Sequence, residues 1–77
     1  MKLHIKYCSA WNYEPKAVSL TEALLTKFKT DITGLTLIPG GGGCFEVKLD
    51  GKLIYSKLET GDFPDPDDIV KEIDKRL

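Results

Sequence analysis

The chain has little of what metal sites, disulfide scaffolds and nucleic-acid surfaces are built from. Its 77 residues include two cysteines, one histidine and one tryptophan. The formal net charge is −1, whereas a nucleic-acid-binding surface normally needs a basic excess. The two cysteines are far apart in sequence, unlike the dense cysteine pattern of a small secreted disulfide protein. We therefore expect no nucleic-acid partner, and cysteines that are free or redox-active.

Long hydrophobic runs are also absent. No apolar stretch approaches the length of a membrane-spanning helix, and the N-terminal residues alternate polar and apolar side chains rather than forming a signal peptide. We expect a cytoplasmic protein without membrane association. A composition of 42% hydrophobic and 30% charged residues is that of a folded chain, and its length predicts one domain over residues 1–77.

Metal-binding patterns are scarce. His4 is the only histidine and lies in a predicted strand, which gives a metal site almost no support. An acidic cluster near the C-terminus lacks the spacing of an EF-hand, and one of its members is better placed as a helix cap. We expect no metal and no tightly bound cofactor. The cluster consists of Asp62, Asp65, Asp67 and Asp68.

Hydrophobic periodicity predicts the element order β-α-β-β-β-α. Pro15 suits the first turn of the first helix, although Ser19 and Glu22 form a capping-box pattern that would start this helix later. Pro39 and the glycines after it end the second strand, and Asp65 caps the final helix. The predicted elements are strands at 2–7, 32–38, 44–49 and 52–56, a helix at 15–28, and a short helix after residue 65.

Each predicted element has a buried face. Residues 50–51 read Asp-Gly, a two-residue type I′ signal that joins the third and fourth strands as a hairpin. The expected buried side chains are Ala17, Leu20, Ala23, Leu24 and Phe28 in the first helix, Phe45, Val47 and Leu49 in the third strand, and Ile69, Val70, Ile73 and Leu77 in the final helix.

The element order decides the fold class. A βαβ crossover makes the first two strands parallel, and the hairpin adds two antiparallel strands. The result is an α/β (α+β) fold with a four-stranded mixed sheet, which is the arrangement of a thioredoxin-like core. A ferredoxin-like sandwich would need the order β-α-β-β-α-β.

Cys8 lies where the first strand passes into the first helix. Unpaired N–H groups and the helix dipole favour negative charge near a helix start, and thiolate is the reactive form of cysteine. Lys6 and Lys16 flank this region and could stabilise a thiolate or attract a glutathione carboxylate. A small buried cysteine that only packs is the alternative interpretation.

Two segments resemble the selenoprotein W-like Rdx family. Residues 7–16 read Tyr-Cys-Ser-Ala-Trp-Asn-Tyr-Glu-Pro-Lys, similar to that family's active-site segment of tyrosine, cysteine, two small residues, selenocysteine or cysteine, then tyrosine, proline and lysine. Residues 43–47 and 51–57 are similar to its glycine-rich loop, Phe-Glu-Val strand and Gly-Lys hairpin. Together with the element order, the resemblance covers nearly the whole chain.

The resemblance implies a thioredoxin-like fold and thiol-based redox activity linked to glutathione or thioredoxin. Glutathione is then a co-substrate, and a thiol-containing protein is the other partner expected. The implied redox positions are Cys8 and Trp11, with Ser9 and Ala10 in the loop between them. The implied substrate contacts are Lys6, Tyr13, Lys16, Gly42 and Gly43.

Trp11 departs from the family pattern at the centre of the site. An indole can neither form a selenenylsulfide nor resolve a mixed disulfide, so a chain with Trp11 lacks the family's two-centre pair. Three origins stay open: a UGA selenocysteine codon read as tryptophan, a deliberate replacement for expression, or a natural one-cysteine relative. Structurally, the indole would cover the loop and pack on Tyr13.

Cys44 has two interpretations. The loop that enters the third strand passes beside the reactive thiol in thioredoxin-like folds, so Cys44 could be a second thiol. The family often has an aromatic or aliphatic residue here, which favours a packing role. Strand alternation turns the Cys44 side chain to the other face of the sheet from Phe45, and that face could be exposed.

Two functions are therefore in competition. One is a small thiol or selenol oxidoreductase, impaired or inactive with Trp11. The other is a non-catalytic redox-sensing or interaction module that docks through residues 8–13. The sequence does not give an oligomeric state.

Overall fold

A computed structural model describes residues 1–77 as a four-stranded mixed sheet with its two longer helices on one face. A 3₁₀ turn follows the first helix, and no helix is both long and apolar enough to span a bilayer. The strands are β1 (Lys2–Cys8), β2 (Gly34–Gly40), β3 (Phe45–Leu49) and β4 (Lys52–Ser56), and the helices are α1 (Glu14–Phe28), α2 (Lys57–Thr60) and α3 (Pro66–Arg76).

The strand order is β2-β1-β3-β4. β1 runs parallel to β2 and antiparallel to β3, and β4 returns antiparallel beside β3. The predicted element order is confirmed, with α2 as an addition. Because β1 lies between β2 and β3, the glycine-rich connection from β2 to β3 must cross the C-terminal end of β1, where Cys8 lies.

The core lies between the sheet and the two longer helices. Every second residue of β1 and β3 points into it, as the alternation predicts. Leu77 was expected there and is not, because it follows the last turn of α3 and is 71% exposed. Ala23 and Val70 are only half-buried. The core consists of Leu3, Ile5, Tyr7, Ala17, Leu20, Leu24, Phe28, Phe45, Val47, Leu49, Ile69 and Ile73.

Two predicted boundaries of β2 were wrong. The strand begins at Gly34 because the 3₁₀ turn occupies Lys29–Asp31. It continues through Pro39 to Gly40, since β2 is an edge strand. The Gly40 carbonyl accepts a hydrogen bond from Ser9 N of the β1 end at 3.1 Å, so by alternation Pro39 turns its missing donor away from the sheet.

The start of α1 and the hairpin turn agree with the sequence. α1 begins at Glu14, with Pro15 in its first turn. Asp50 and Gly51 have φ values of 49° and 84°, and a type I′ turn needs two positive values. Asp50 also receives the Lys2 N–H on its carboxylate at 2.8 Å, which ties the hairpin to β1.

Glu46 organises α2, which the sequence did not predict. Its carboxylate accepts hydrogen bonds from Ser56 Oγ at 2.7 Å and from Lys57 N at 3.0 Å. It thereby satisfies a free N–H at the start of the short helix, the role usually taken by the capping residue itself. The chain thus turns directly from β4 into α2.

The Asp65 cap is confirmed, since its Oδ1 accepts from Asp67 N at 2.9 Å. We predict that Asp65→Ala lowers the free energy of unfolding by about 1 kcal/mol because it leaves this N–H without its partner. Denaturant titration measures the loss. Asp68→Ala is the matched control, because Asp68 carries the same charge in the first turn without capping it. Equal midpoints for the two variants would contradict the prediction.

Candidate functional site

Cys8 is the last residue of β1, and its side chain is fully buried. Its N–H donates to the Cys44 carbonyl at 2.9 Å, and its own carbonyl accepts from Tyr13 N at 3.1 Å. Backbone bonds therefore hold Cys8 to the strand-entry loop on one side and to the helix start on the other. No hydrogen bond of the structure involves the Cys8 sulfur.

The loop between β1 and α1 is a tight turn. Asn12 N donates to the Ser9 carbonyl at 3.1 Å, and Asn12 itself has a positive φ of 59°, a conformation that asparagine tolerates better than most residues. Ser9 N is bound to the Gly40 carbonyl, and Ser9 Oγ lies 3.5 Å from the same oxygen. The expected redox loop is thus fixed to the end of β2 while Ser9 and Ala10 stay exposed.

Trp11 folds over the glycine-rich loop. A Cβ atom placed on Gly43 would lie 2.6 Å from Trp11 Cζ3, closer than real Cβ contacts. Because Gly43 has no side chain, the indole occupies the space beside its Cα atom. The outer part of the ring remains in solvent, and Trp11 is 62% exposed. Position 11 thus lies against the loop that crosses the end of β1.

A chain of four aromatic rings connects this loop to the core. Trp11 meets Tyr13 at 6.1 Å between ring centroids, Tyr13 meets Phe63 at 4.6 Å, and Phe63 meets Phe45 at 5.5 Å, each edge to face. Such pairs favour this geometry because of the ring quadrupoles. The packing of Trp11 on Tyr13 agrees with the sequence interpretation. Phe63 was missed; its one signal was being an aromatic residue within a polar, proline-containing loop.

The two lysines expected to flank the thiol lie on different sides of the sheet. The Lys16 ammonium stands 5.3 Å from the centre of the Phe63 ring, a cation–π contact. The Lys6 stem instead passes beside Gly40, where an added Cβ would lie 2.8 Å from Lys6 Cε and 3.0 Å from Cys44 Sγ. The structure therefore places Lys6, and not Lys16, beside a cysteine sulfur.

Cys44 is buried, although its side of the sheet carries no helix. Its carbonyl receives the Cys8 N–H, and its own N–H donates to the Gly41 carbonyl at 3.4 Å. The connection between β2 and β3 curls into a turn here, and the sulfur lies over Gly40. A Cβ atom added to Gly42 would meet no other atom within 4 Å. Of the two glycines expected at the site, only Gly43 therefore lies against Trp11.

A broader groove lies on the helix-free side of the sheet, with a volume of about 490 Å³. It contains neither cysteine, and nothing in it resembles a metal site; no group of three or more histidine, cysteine or acidic side chains is placed to hold a metal ion. Its lining residues are His4, Lys6, Ile38, Glu46, Lys48, Gly51 and Leu53.

Comparison with known sequences gives one family. The model of the Rdx family matches residues 2–75. Selenoprotein W of Danio rerio is 35% identical over 75 residues, which is 95% of this chain and 86% of that protein. Migration and invasion enhancer 1 of Bos taurus is 31% identical over 75 residues, and that of Mus musculus 32% over 71 residues. These cover 95% and 90% of this chain, which spans only 62% and 58% of those two proteins.

Solved structures agree in fold. A selenoprotein W-related protein from Vibrio cholerae superposes with a TM-score of 0.92 at 27% identity, over 96% of this chain and 92% of that one. A protein from Bordetella parapertussis gives 0.94 at 25% identity, over 99% and 96% of the two chains. The predicted thioredoxin-like fold is confirmed.

We predict that Gly43→Ala displaces Trp11 whereas Gly42→Ala does not. Both glycines have positive φ, 74° and 67°, so each substitution costs about 1 kcal/mol of backbone strain. Only at Gly43 does the new methyl group enter the space of the indole. Quenching of tryptophan fluorescence by acrylamide measures the difference, because Trp11 is the only tryptophan. Equal quenching in the two variants would show that the indole does not rest on Gly43.

Proposed function

Since the chain belongs to the Rdx family, which indicates a redox-related role, we propose that it is a small thiol oxidoreductase with Cys8 as the reacting sulfur. The observation that carries this proposal is the position of Cys8. It ends a central strand directly before the loop to α1. The resemblance of residues 7–16 to the family's active-site segment assigns this position to the family's first redox cysteine.

The proposed substrates are disulfides, with glutathione or thioredoxin as the source of electrons. The Cys8 thiolate attacks one sulfur of the disulfide, and the other sulfur leaves as a thiolate that takes up a proton. Cys8 is then held in a mixed disulfide. A thiol of the reductant then attacks the Cys8 sulfur and releases the bound half of the substrate as a thiol, which leaves Cys8 in a mixed disulfide with the reductant. A second reductant thiol, from another glutathione or the second cysteine of thioredoxin, attacks the reductant's sulfur in that bond. Cys8 leaves as a thiolate that takes up a proton, and the reductant is left oxidised as a disulfide.

Access to Cys8 requires movement of the site loops. The thiol is fully buried, and the indole of Trp11 rests on the loop that crosses the end of β1. The turn after Cys8 is held by two backbone bonds of 3.1 Å, from Ser9 N to the Gly40 carbonyl and from Asn12 N to the Ser9 carbonyl, which is a small number of contacts to break. A substrate that displaces the exposed indole would therefore free the glycine-rich loop that crosses the end of β1, next to Cys8.

Trp11 removes the second centre of the family's site. A thiol or selenol at this exposed position would attack a substrate directly, whereas an indole has no such chemistry. The three origins of Trp11 make different predictions for the gene. A UGA codon supports a selenocysteine enzyme, and UGG supports a one-cysteine protein or an engineered replacement.

A docking module is the second candidate function, and the exposure of Trp11 favours it. An exposed indole beside a Tyr13 ring with the Lys57 ammonium 5.3 Å from its centre is a surface that a partner protein could bind. In this case Trp11→Ala would abolish the partner's binding, and Cys8→Ser would leave it intact. If the chain is an oxidoreductase, Cys8→Ser would instead abolish its reaction with the partner.

We place the activity in the cytoplasm, where reduced glutathione and thioredoxin keep protein thiols reduced. The proposed partners are glutathione and thiol-containing proteins, without nucleic acid or membrane. Both cysteines of the chain are free thiols, which fits this environment.

We predict that Trp11→Cys raises the rate of glutathione-linked disulfide reduction by an order of magnitude or more. The new thiol is exposed, so it attacks the substrate directly and then exchanges with Cys8 as a Cys-x-x-Cys pair, whereas the buried Cys8 must wait for the loop to move. NADPH consumption coupled through glutathione reductase measures the turnover.

Trp11→Ser is the matched control. It opens the site as much as cysteine does but supplies no second sulfur. If the serine variant were as fast as the cysteine variant, the gain would come from access to Cys8, and position 11 would not be a redox centre.

A further inference from the structure

The register of β1 with β3 brings the two cysteines face to face. The last pair in the ladder is Tyr7 with Phe45, and the next antiparallel step places Cys8 opposite Cys44. Cys8 N donates to the Cys44 carbonyl at 2.9 Å, which is one of the two hydrogen bonds that such a pair makes, while the Cys44 N–H turns to the Gly41 carbonyl. The two cysteines are thus cross-strand neighbours although they are distant in sequence.

Their side chains share one side of the sheet. Residues directly opposite in an antiparallel pair project to the same face, and Tyr7 and Phe45 both project into the core. Alternation therefore turns Cys8 and Cys44 toward the other face. The position of Cys44 Sγ agrees, because it lies 3.0 Å from where a Cβ of Gly40 would be, and Gly40 is the partner of Cys8 in β2.

The separation expected at this register position fits a disulfide. In a hydrogen-bonded antiparallel pair the Cα atoms are about 5.5 Å apart. Disulfides join cysteines whose Cα atoms are roughly 4.4–6.8 Å apart, with a preferred value near that of such a pair. Both cysteines are buried free thiols.

We propose that Cys44 is the second sulfur of the redox site, so that Cys8 and Cys44 form a cross-strand dithiol in place of the pair at positions 8 and 11. The proposal rests on the proposed function, in which Cys8 reacts with disulfides. It also assigns a role to Cys44 beyond packing, and it allows the chain with Trp11 to release its product without an external thiol.

The reaction balances with a low-molecular-weight disulfide as the oxidant. Cys8 thiolate attacks one sulfur of oxidised glutathione, which releases one glutathione as a thiol after protonation and leaves the other on Cys8. Cys44 thiolate then attacks the Cys8 sulfur and displaces the second glutathione, which also takes up a proton. Two cysteine thiols are oxidised to one disulfide, and one glutathione disulfide is reduced to two thiols.

Equilibration with mixtures of reduced and oxidised glutathione tests the pairing. The protein, Cys44→Ser and Cys8→Ser are incubated at increasing ratios of oxidised to reduced glutathione at low protein concentration, quenched with acid and alkylated. Trypsin separates the cysteines into peptides 7–16 and 30–48, because lysines end both segments and lie between them. Mass spectrometry then reports which thiols are free, linked or glutathionylated.

We expect the protein to lose two hydrogens per monomer, with the two peptides linked, and to carry glutathione on Cys8 only transiently. Cys44→Ser should stop at a stable glutathione adduct on Cys8, because its resolving thiol is missing. Cys8→Ser should form no internal link.

Stable glutathione on Cys8 with Cys44 alkylated as a free thiol would overturn the pairing while leaving Cys8 as a reactive thiol. Links found only between two chains would overturn it as well. No reaction at either cysteine, even at the most oxidising ratio, would overturn both the pairing and the proposed function.

Discussion

The antiparallel register of β1 and β3 is the constraint on which the site depends. It sets Tyr7 beside Phe45 in the core, Lys6 beside Glu46 on the open face, and Cys8 beside Cys44 at the end of the strands. A slip of one residue would turn every one of these side chains to the other face and expose the core residues of β3. Burial of that core therefore fixes the geometry of the two thiols, although neither cysteine belongs to the twelve-residue core.

Much of this arrangement follows from local patterns. Alternation in β1 and β3, the Asp-Gly turn, the Pro15 start and the Asp65 cap depend on residues close together in sequence, and each agrees with the structure. What the sequence did not predict depends on tertiary contacts. α2 forms where the Glu46 carboxylate reaches Lys57 N, and β2 continues through Pro39 because it lies at an edge. Neither the Glu46–Lys57 bond nor the edge position of β2 can be recognised from the residues of the segment that it affects.

The site divides in the same way. Sequence pattern selected Cys8 and Trp11 as candidates, because the residues around them resemble a family segment. It left the side chain of Cys44 undecided, since that depends on the register between strands and on the turn that buries it over Gly40. The separation of the two lysines likewise follows from the fold. Lys6 lies on the face of the sheet without helices, whereas Lys16 lies beside Phe63. Sequence proximity alone suggested that both would approach the thiol.

Pro39 has a consequence for how the protein tolerates movement at its site. β2 is an outer strand, and a strand of this kind offers free N–H and C=O groups to which another chain can add. Pro39 removes one outward-facing donor beside Gly40, the residue that anchors the loop after Cys8. If that loop opens to admit a substrate, as the proposed reaction requires, the adjacent edge is already interrupted at the point nearest the two cysteines. The chain can thus loosen the surroundings of Cys8 without presenting a continuous template for edge-to-edge aggregation.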